Sequence, residues 1–458
     1  MSDTLLNKIN ARSARVGVIG LGYVGLPLAI AFTRSGFHVV GLEIDKERVA
    51  AINRGSSYIE DVTTEELSSY VRAGQLAATT DYTQLRRCDV VFICVPTPYT
   101  TQRTPDLSAV IAASEGIAAY LQRGQLIVLQ STTFPGTTNQ IVRPILERKS
   151  GLSAQGDFYL AFSPERIDPG NKQWTAYNTP KVVGGVTAEA TRMAATLLRQ
   201  MGTTVHEVSS PEVAELTKLL ENTFRAVNIA LVNEMAQLAE RMEIDIWEVL
   251  EAARTKPFGY MPFQPGPGVG GHCIPIDPYY LLWKAKEYDF YTRFIELAAE
   301  TNEMMPYHVV ELATRALNLK GQALQGARVL ILGVAFKPNI RDARNSPAER
   351  VIELLLKGGA HITYHDPHVP VFTVGGDVFL PDPITLHSVP LNPSTLAQQD
   401  AVVIVTGHEG VDYAQILAHA SLVVDTCNAT HKVDRAANGS PQGRALIVKL
   451  GSPLPYLE

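Results

Sequence analysis

Val16-Gly-Val-Ile-Gly-Leu-Gly-Tyr-Val-Gly25 sets the architecture of the first part of the chain. Val16 to Ile19 is a short apolar run, and glycines follow it at 20, 22 and 25. Leu26 to Ser35 carries a helical pattern ended by Gly36, and His38 to Leu42 is a second apolar run. The order is strand, tight turn, helix, strand. A lone G-x-G-x-x-G is weak, but here each glycine sits where a βαβ unit needs it. Gly20 makes the turn, Gly22 lets a pyrophosphate approach, and Gly25 brings helix against strand. The helix start offers N–H groups and a positive dipole end to phosphates. Leu21, Tyr23 and Val24 complete the turn. Glu43 ends the second strand and Asp45 follows. Acidic side chains there accept from ribose hydroxyls and repel a 2′-phosphate, which favours NAD over NADP. Arg48 can lie against the adenine or touch a phosphate. A surface acidic cluster is the alternative.

Outward from this unit the alternation continues. Asp89 to Val95 is apolar enough for burial on both faces of a parallel sheet and ends in Pro96-Thr97-Pro98. Thr97 thus stands at the carboxyl edge, where ligands sit in open α/β sheets. Leu126 to Leu129 leads into Gln130-Ser-Thr-Thr-Phe-Pro-Gly-Thr137, whose Ser131, Thr132 and Thr133 can bond a cofactor, hold a water or cap a helix. Phe158 to Phe162 leads into Ser163-Pro-Glu-Arg-Ile-Asp-Pro-Gly170. Glu165 and Arg166 there are either a surface ion pair or a base and a substrate anchor. Lys181-Val-Val-Gly-Gly185 and the segment near Val205 complete this part.

With 458 residues, two or three domains are expected. A net charge of −6 gives no hint of a nucleic-acid or membrane partner. The four cysteines, Cys88, Cys94, Cys273 and Cys427, lack metal or redox spacing, which fits a reducing cytoplasm. No metal site is expected. The polar stretch from Met1 to Ala14 has no signal-peptide core, and the longest apolar runs are strand-sized. A soluble cytoplasmic enzyme is the expectation.

Pro211 to Met242 reads as one long helix, free of internal proline and glycine. One face carries Val213, Leu216, Leu220, Val227, Leu231, Met235 and Leu238; another carries Glu215, Lys218, Asn222 and Arg225. The polar stripe is either solvated or buried, and in a buried stripe each group needs a partner. A lysine so placed can stabilise an oxyanion. Trp247 to Ala253 is a second helical segment, and Asp289 to Met305 a third, stopped near Pro306. Between them lies Gly266-Pro-Gly-Val-Gly-Gly-His-Cys-Ile-Pro-Ile-Asp-Pro-Tyr-Tyr280. Its Cys273 is either a positioned nucleophile or a small buried hydrophobe. After Gly326 another α/β unit starts: strand Ala327 to Leu332, turn Gly333-Val-Ala-Phe-Lys-Pro338, polar loop Asn339 to Asn345, helix Pro347 to Leu356, and strands at His361 to Tyr364, Val402 to Val405 and Leu422 to Asp425. This turn has one glycine where the first has three, so a pyrophosphate does not fit the same way. Lys337 and Arg344 can bind phosphate through side chains, or they are surface cations of a structural domain.

Six stretches in this order resemble the UDP-glucose/GDP-mannose dehydrogenase family over most of the length: Gly20 to Gly25, Ser131 to Thr137, Ser163-Pro-Glu165, Glu215-Leu-Thr-Lys-Leu-Leu-Glu-Asn222, Gly268-Val-Gly-Gly-His-Cys273 and Gly333-Val-Ala-Phe-Lys337. The resemblance implies an α/β protein with two Rossmann-like doubly wound sheets joined by a central helical region with one long helix. The expected parts are 1–208 for NAD, 209–310 for dimerisation and catalysis, and 311–458 for the UDP-sugar. It implies NAD-dependent four-electron oxidation of a nucleotide-sugar C6 alcohol through a Cys273 thiohemiacetal and thioester. Lys218 and Asn222 stabilise the oxyanion; Glu165, Thr132 and Asp277 position water and move protons. Cofactor residues are Gly20, Leu21, Gly22, Tyr23, Val24, Gly25, Glu43, Asp45, Arg48, Thr97, Ser131, Thr132 and Arg344. Substrate residues are Glu165, Arg166, Lys218, Asn222, Arg225, Gly270, Lys256 and Lys337. Glycine-to-larger changes beside Cys273 are expected to harm turnover as much as loss of the thiol. The loops at 163–170 and 265–278 resemble the branch acting on UDP-N-acetylglucosamine for polysaccharide synthesis, with UDP-N-acetylmannosamine and UDP-glucose as alternatives. Glu43 departs from the aspartate of many relatives. A homodimer or higher homo-oligomer through the central helix is expected. The competing classes are a two-electron hydroxyacid dehydrogenase, indifferent to Cys273, and a catalytically silent nucleotide-binding protein.

Overall fold

A computed structural model describes residues 2–59, 61–100, 102–168, 171, 173–175, 177–436 and 445–455. Pro169 and Gly170, which end the 163–170 loop, lie outside the described residues. The chain divides into two compact units, Met1–Glu221 with Tyr279–Phe290, and Asn222–Pro278 with Tyr291–Glu458.

The first unit is built on strands β1 (Arg15–Ile19), β2 (His38–Leu42), β3 (Leu76–Thr79), β4 (Val90–Ile93), β5 (Leu126–Leu129), β6 (Tyr159–Phe162), β7 (Lys181–Gly185) and β8 (Val205–Val208). They lie in the order β3-β2-β1-β4-β5-β6-β7-β8. Pairing is parallel except between β6 and β7. Helices α1 (Ser2–Asn10), α2 (Gly25–Arg34), α3 (Lys46–Asn53), α4 (Thr64–Arg72), α5 (Ser108–Ala118), α6 (Arg143–Ser150) and α7 (Ala188–Arg199) accompany the sheet. Every residue of β4, β5 and β6 is buried, as strands covered on both faces must be. The order reverses between β1 and β4, so the turns at Gly20 and Thr97 share the crevice at the switch point. The N-terminal segment, only polar in outline, forms α1 because Leu5 and Ile9, one turn apart, are buried; it packs on α7.

Helix α8 (Pro211–Arg241) starts in the first unit and ends in the second. Its polar stripe is the buried one: Glu215, Lys218 and Asn222 are at most 7% exposed. Its apolar stripe faces out, with Leu220 64% and Leu231 56% exposed. Arg225 is exposed.

The second unit continues with α9 (Ile246–Arg254), then α10 (Asp277–Ala285), whose last turns belong to the first unit, and α11 (Arg293–Leu319). Its parallel sheet contains β9 (Arg328–Leu332), β10 (His361–His365), β13 (Ala401–Ile404), β14 (Leu422–Asp425) and β15 (Leu446–Lys449), ordered β10-β9-β13-β14-β15. β11 (Val371–Val374) and β12 (Ile384–His387) form a separate antiparallel pair. Helices α12 (Pro347–Lys357), α13 (Pro393–Ala397), α14 (Tyr413–His419) and α15 (His431–Ala436) complete it. The expected stop near Pro306 does not occur. Proline in a helix interior costs about 3 kcal/mol, but Met305, Val309, Leu312, Ala313, Ala316 and Leu317 are all buried and carry α11 past it. Among the described residues no helix is long and apolar enough to cross a membrane, and no His/Cys/Asp/Glu group is arranged to hold a metal ion.

Candidate active site

In the first unit the dinucleotide turn has the form its sequence demands. Gly20 has φ +85°, and a Cβ there would lie 2.7 Å from the Cys94 carbonyl oxygen. A Cβ on Gly25 would sit 1.8 Å from the Gly20 oxygen. One on Gly22 would meet nothing within 4 Å, so the fold makes no demand there and the open space remains for a ligand. Leu21 is buried, whereas Tyr23 is exposed and Val24 half-buried. Glu43 also serves the turn. Its Oε2 accepts from the Leu21 N–H at 3.0 Å and its Oε1 from the Asp45 N–H at 3.2 Å. Asp45 caps α3 by accepting from Glu47 and Arg48. Arg48 lies 3.5 Å from Asp45, 3.8 Å from Glu43, and over the Tyr58 ring. The open turn, the acidic strand end and the α2 N-terminus fit NAD.

The loops after β4 and β5 are bonded together. Thr97 Oγ1 donates to the Thr132 carbonyl at 2.7 Å, and Ser131 Oγ to the Val95 carbonyl at 2.7 Å. Tyr280, wholly buried, donates its hydroxyl to the Thr97 carbonyl. Glu215 of α8 accepts from the N–H of Gly136 at 2.6 Å, and from the N–H and hydroxyl of Thr138 at 2.9 and 2.7 Å. Burial pushes its carboxyl up to about 7, against those donors.

Glu165 is held from all sides. Lys181 reaches its two oxygens at 2.8 and 2.9 Å, Gln130 donates at 2.7 Å, and the N–H groups of Arg166 and Ile167 donate at 2.8 and 3.2 Å. Burial would raise this carboxyl, but Lys181, the donors and the nearby Lys218 outweigh it and hold it below the ordinary range. Arg166 gives its fork to Glu221, at 3.1 and 2.5 Å, and to the Pro180 carbonyl. Sequence reading missed Lys181 and Gln130.

In the second unit the Cys273 loop meets the buried face of α8. Asn222 donates to Asp277, which is 2% exposed, and the Cys273 carbonyl accepts from the Asp277 N–H at 2.8 Å. Asn233 accepts from the Gly266 N–H at 2.9 Å and donates to Asn302 at 2.9 Å. The other wall is the loop after β9. Asn345 donates to the Gly271 carbonyl at 3.0 Å, and the Gly271 N–H to the Arg344 carbonyl at 3.2 Å. A Cβ on Gly270 would lie 2.8 Å from Phe336 Cβ and 2.9 Å from the Asn345 oxygen. Lys337 is half-buried on this loop, and exposed Arg344 is paired with Asp342. Lys256 is exposed, over the Phe258 ring. Asp366 ties the same loop down, accepting from Val334 and Ala335 at 2.7 and 3.0 Å and from His408 Nε2 at 3.1 Å. Asn233, Asn345 and Asp366 were also missed; Asn233 continues the buried α8 stripe eleven residues after Asn222, which was a readable signal.

Three family descriptions match the chain in succession: the NAD-binding domain of the UDP-glucose/GDP-mannose dehydrogenase family at residues 14–202, its central domain at 212–304 and its UDP-binding domain at 330–432. The chain belongs to the UDP-glucose/GDP-mannose dehydrogenase family. Members of this family are NAD-dependent oxidoreductases acting on nucleotide sugars, and this dehydrogenase binds NAD. It is 37% identical to a UDP-N-acetyl-D-glucosamine 6-dehydrogenase of Salmonella typhi over 396 residues, 86% of this chain and 90% of that one. It is 39% identical to one of Pseudomonas aeruginosa, over 78% of this chain and 84% of that one. Among solved structures it is similar to a UDP-D-ManNAc dehydrogenase of Pyrococcus horikoshii, with TM-score 0.84, 32% identity, and coverage of 95% of this chain and 99% of that one.

Proposed function

We propose that this dehydrogenase oxidises the C6 alcohol of UDP-N-acetylglucosamine to the carboxylate, giving UDP-N-acetylglucosaminuronate for polysaccharide synthesis. The observation that carries the reading is the bond from Asn222 of α8 to Asp277, four residues past Cys273 in a loop whose backbone is tied at both ends. NAD, when bound, supplies the hydride acceptor for both oxidations. Cys273 adds to the aldehyde carbon to form a thiohemiacetal, whose oxidation leaves a thioester that water cleaves to the acid and free thiol. Lys218 and Asn222 stabilise the oxyanion, and Asp277 with Thr132 positions the water. Glu165, its oxygens filled by donors, moves a proton or holds the water only when one of those donors gives way.

Gly20, Gly22, Gly25, Glu43, Thr97, Ser131 and Arg344 serve the cofactor; Gly270 and Lys337 serve the sugar nucleotide. Arg166 reaches it only by leaving Glu221. The working division is 1–208 for cofactor, 209–310 for catalysis and dimerisation, and 311–458 for UDP. The outward apolar stripe of α8 is the surface through which copies of the chain pair, and the enzyme works in the cytoplasm. The glucosamine substrate is supported by the two curated relatives that carry it in their names. UDP-N-acetylmannosamine, named for the Pyrococcus structure, is the second reading; UDP-glucose is the third. The test is NADH appearance at 340 nm with the three UDP-sugars, wild type beside Cys273→Ser. Fastest turnover with UDP-N-acetylglucosamine, and no acid product from the serine variant, support the proposal. Full activity of the variant would reinstate a two-electron dehydrogenase, and no NADH with any sugar a silent nucleotide-binding protein.

A further inference from the structure

Lys181 opens β7 with its ammonium inside the protein, 1% exposed, where both oxygens of Glu165 meet it. Most buried charges have one partner and the pair is closed. Here a second cation stands close by: Arg166, next in the chain to Glu165, bonds Glu221 of α8, one turn beyond Lys218, and Lys218 favours the charged form of the same carboxylate. Lys218 is 7% exposed, so it too is short of water. A buried carboxylate draws in whatever cation is near, because unpaired charge in a low-dielectric site is costly. Without Lys181, the Glu165 carboxylate would take Lys218 as its counter-ion. With Lys181 in place, Glu165 is neutralised from the β7 side, and the remaining bonds from Gln130 and two backbone N–H groups fix its direction.

We infer that Lys181 is a positioning residue for the reaction: it satisfies Glu165 and so leaves the Lys218 ammonium uncompensated, available to the oxyanion that develops on the substrate. This rests on the oxidation proposed above, in which Lys218 is the oxyanion partner. Lys181 is not itself placed against cofactor or substrate. Its effect passes wholly through Glu165, and that dependence separates it from a lysine that merely fills a core position.

The experiment is a double-mutant cycle on the full-length enzyme, with steady-state turnover of the best UDP-sugar as readout. Lys181→Met is expected to lower kcat by at least about 30-fold while KM for the sugar moves less than about threefold, since transition-state stabilisation is lost and ground-state binding is not. Lys181→Arg keeps the pair and is expected to hold kcat within about fivefold of wild type. In the Glu165→Gln background, adding Lys181→Met is expected to cost less than about threefold, because the charge it answers is gone. The double variant removes both members of the buried pair together and serves where Lys181→Met alone, which leaves Glu165 charged, fails to fold. A further tenfold loss in the double variant, or an arginine variant as poor as the methionine one, overturns the role. Wild-type protein inactive on every UDP-sugar would instead remove the underlying reaction, and this role with it.

Discussion

Glu215 grips Thr138 twice, through the backbone N–H at 2.9 Å and the hydroxyl at 2.7 Å, and so ties α8 to the turn that leads into α6. The same carboxylate holds Gly136, so the loop carrying Thr132 is fixed to the helix carrying Lys218 by one buried side chain. Because burial raises this carboxyl from 4.5 to about 7, the folded state binds its proton more tightly than the unfolded chain does. Stability from this group is therefore full below about pH 4.5 and is lost as pH rises toward 7, by about 3 kcal/mol in all. Urea unfolding at pH 5 and pH 8 is expected to show wild type losing more stability across that interval than Glu215→Gln. Equal losses in the two proteins would contradict the assignment.

The glycines before Cys273 are not equivalent. An added Cβ meets nothing within 4 Å at Gly266 but lies 2.8 Å from Phe336 Cβ at Gly270. Gly266→Ala is expected to keep turnover within about threefold of wild type, and Gly270→Ala to lose at least about tenfold in kcat/KM, the loop being pushed off its wall. Steady-state rates with the UDP-sugar check both. This narrows the sequence expectation that enlarging a glycine beside Cys273 harms turnover as much as loss of the thiol.

Asp366 is wholly buried and accepts from His408, Val334, Ala335, His368 and Val369. Burial would raise its carboxyl, but these donors hold it well below the usual carboxylate range. Its stabilising effect is thus present above the unfolded carboxyl range and lost as pH falls through the folded value. Asp366→Asn turns an amide N–H₂ toward N–H donors and is expected to cost about 3 kcal/mol. Chemical denaturation at pH 7 measures the loss.

On the outward face of α8, Leu220 and Leu231 are both more than half exposed, in line with Leu216, Met235 and Leu238. An apolar stripe of this length is expected to be covered by a second copy. Light scattering is expected to give at least twice the chain mass of 49.9 kDa for wild type, and the single mass for Leu220→Glu with Leu231→Glu. A monomeric wild type at micromolar concentration would contradict this.

The first βαβ unit was legible because its signals are local: apolar run, three glycines, helix, acidic strand end. The polar stripe of α8 was legible too, since three- and four-residue spacing is written in the sequence. Its direction was less so. Apolar faces ordinarily turn inward, yet on α8 the inner face is occupied by the bonds of Glu215, Asn222 and Asn233, whose partners lie 77 to 79, 55 and 33 to 69 residues away. Lys181 reads only as the first residue of a strand, because its reason for being there, Glu165, is fixed by the antiparallel pairing of β6 with β7. Pro306 misled for the same reason: tertiary packing along α11 overrides a local helix-breaking signal.

In the proposed reaction one cysteine carries a sugar through two successive oxidations without releasing the aldehyde. The most direct test is the molar ratio of NADH formed to UDP-sugar consumed, run to completion with limiting sugar. Two NADH per sugar and a carboxylate product are expected; a ratio of one, with the aldehyde as product, would rule out the Cys273 route.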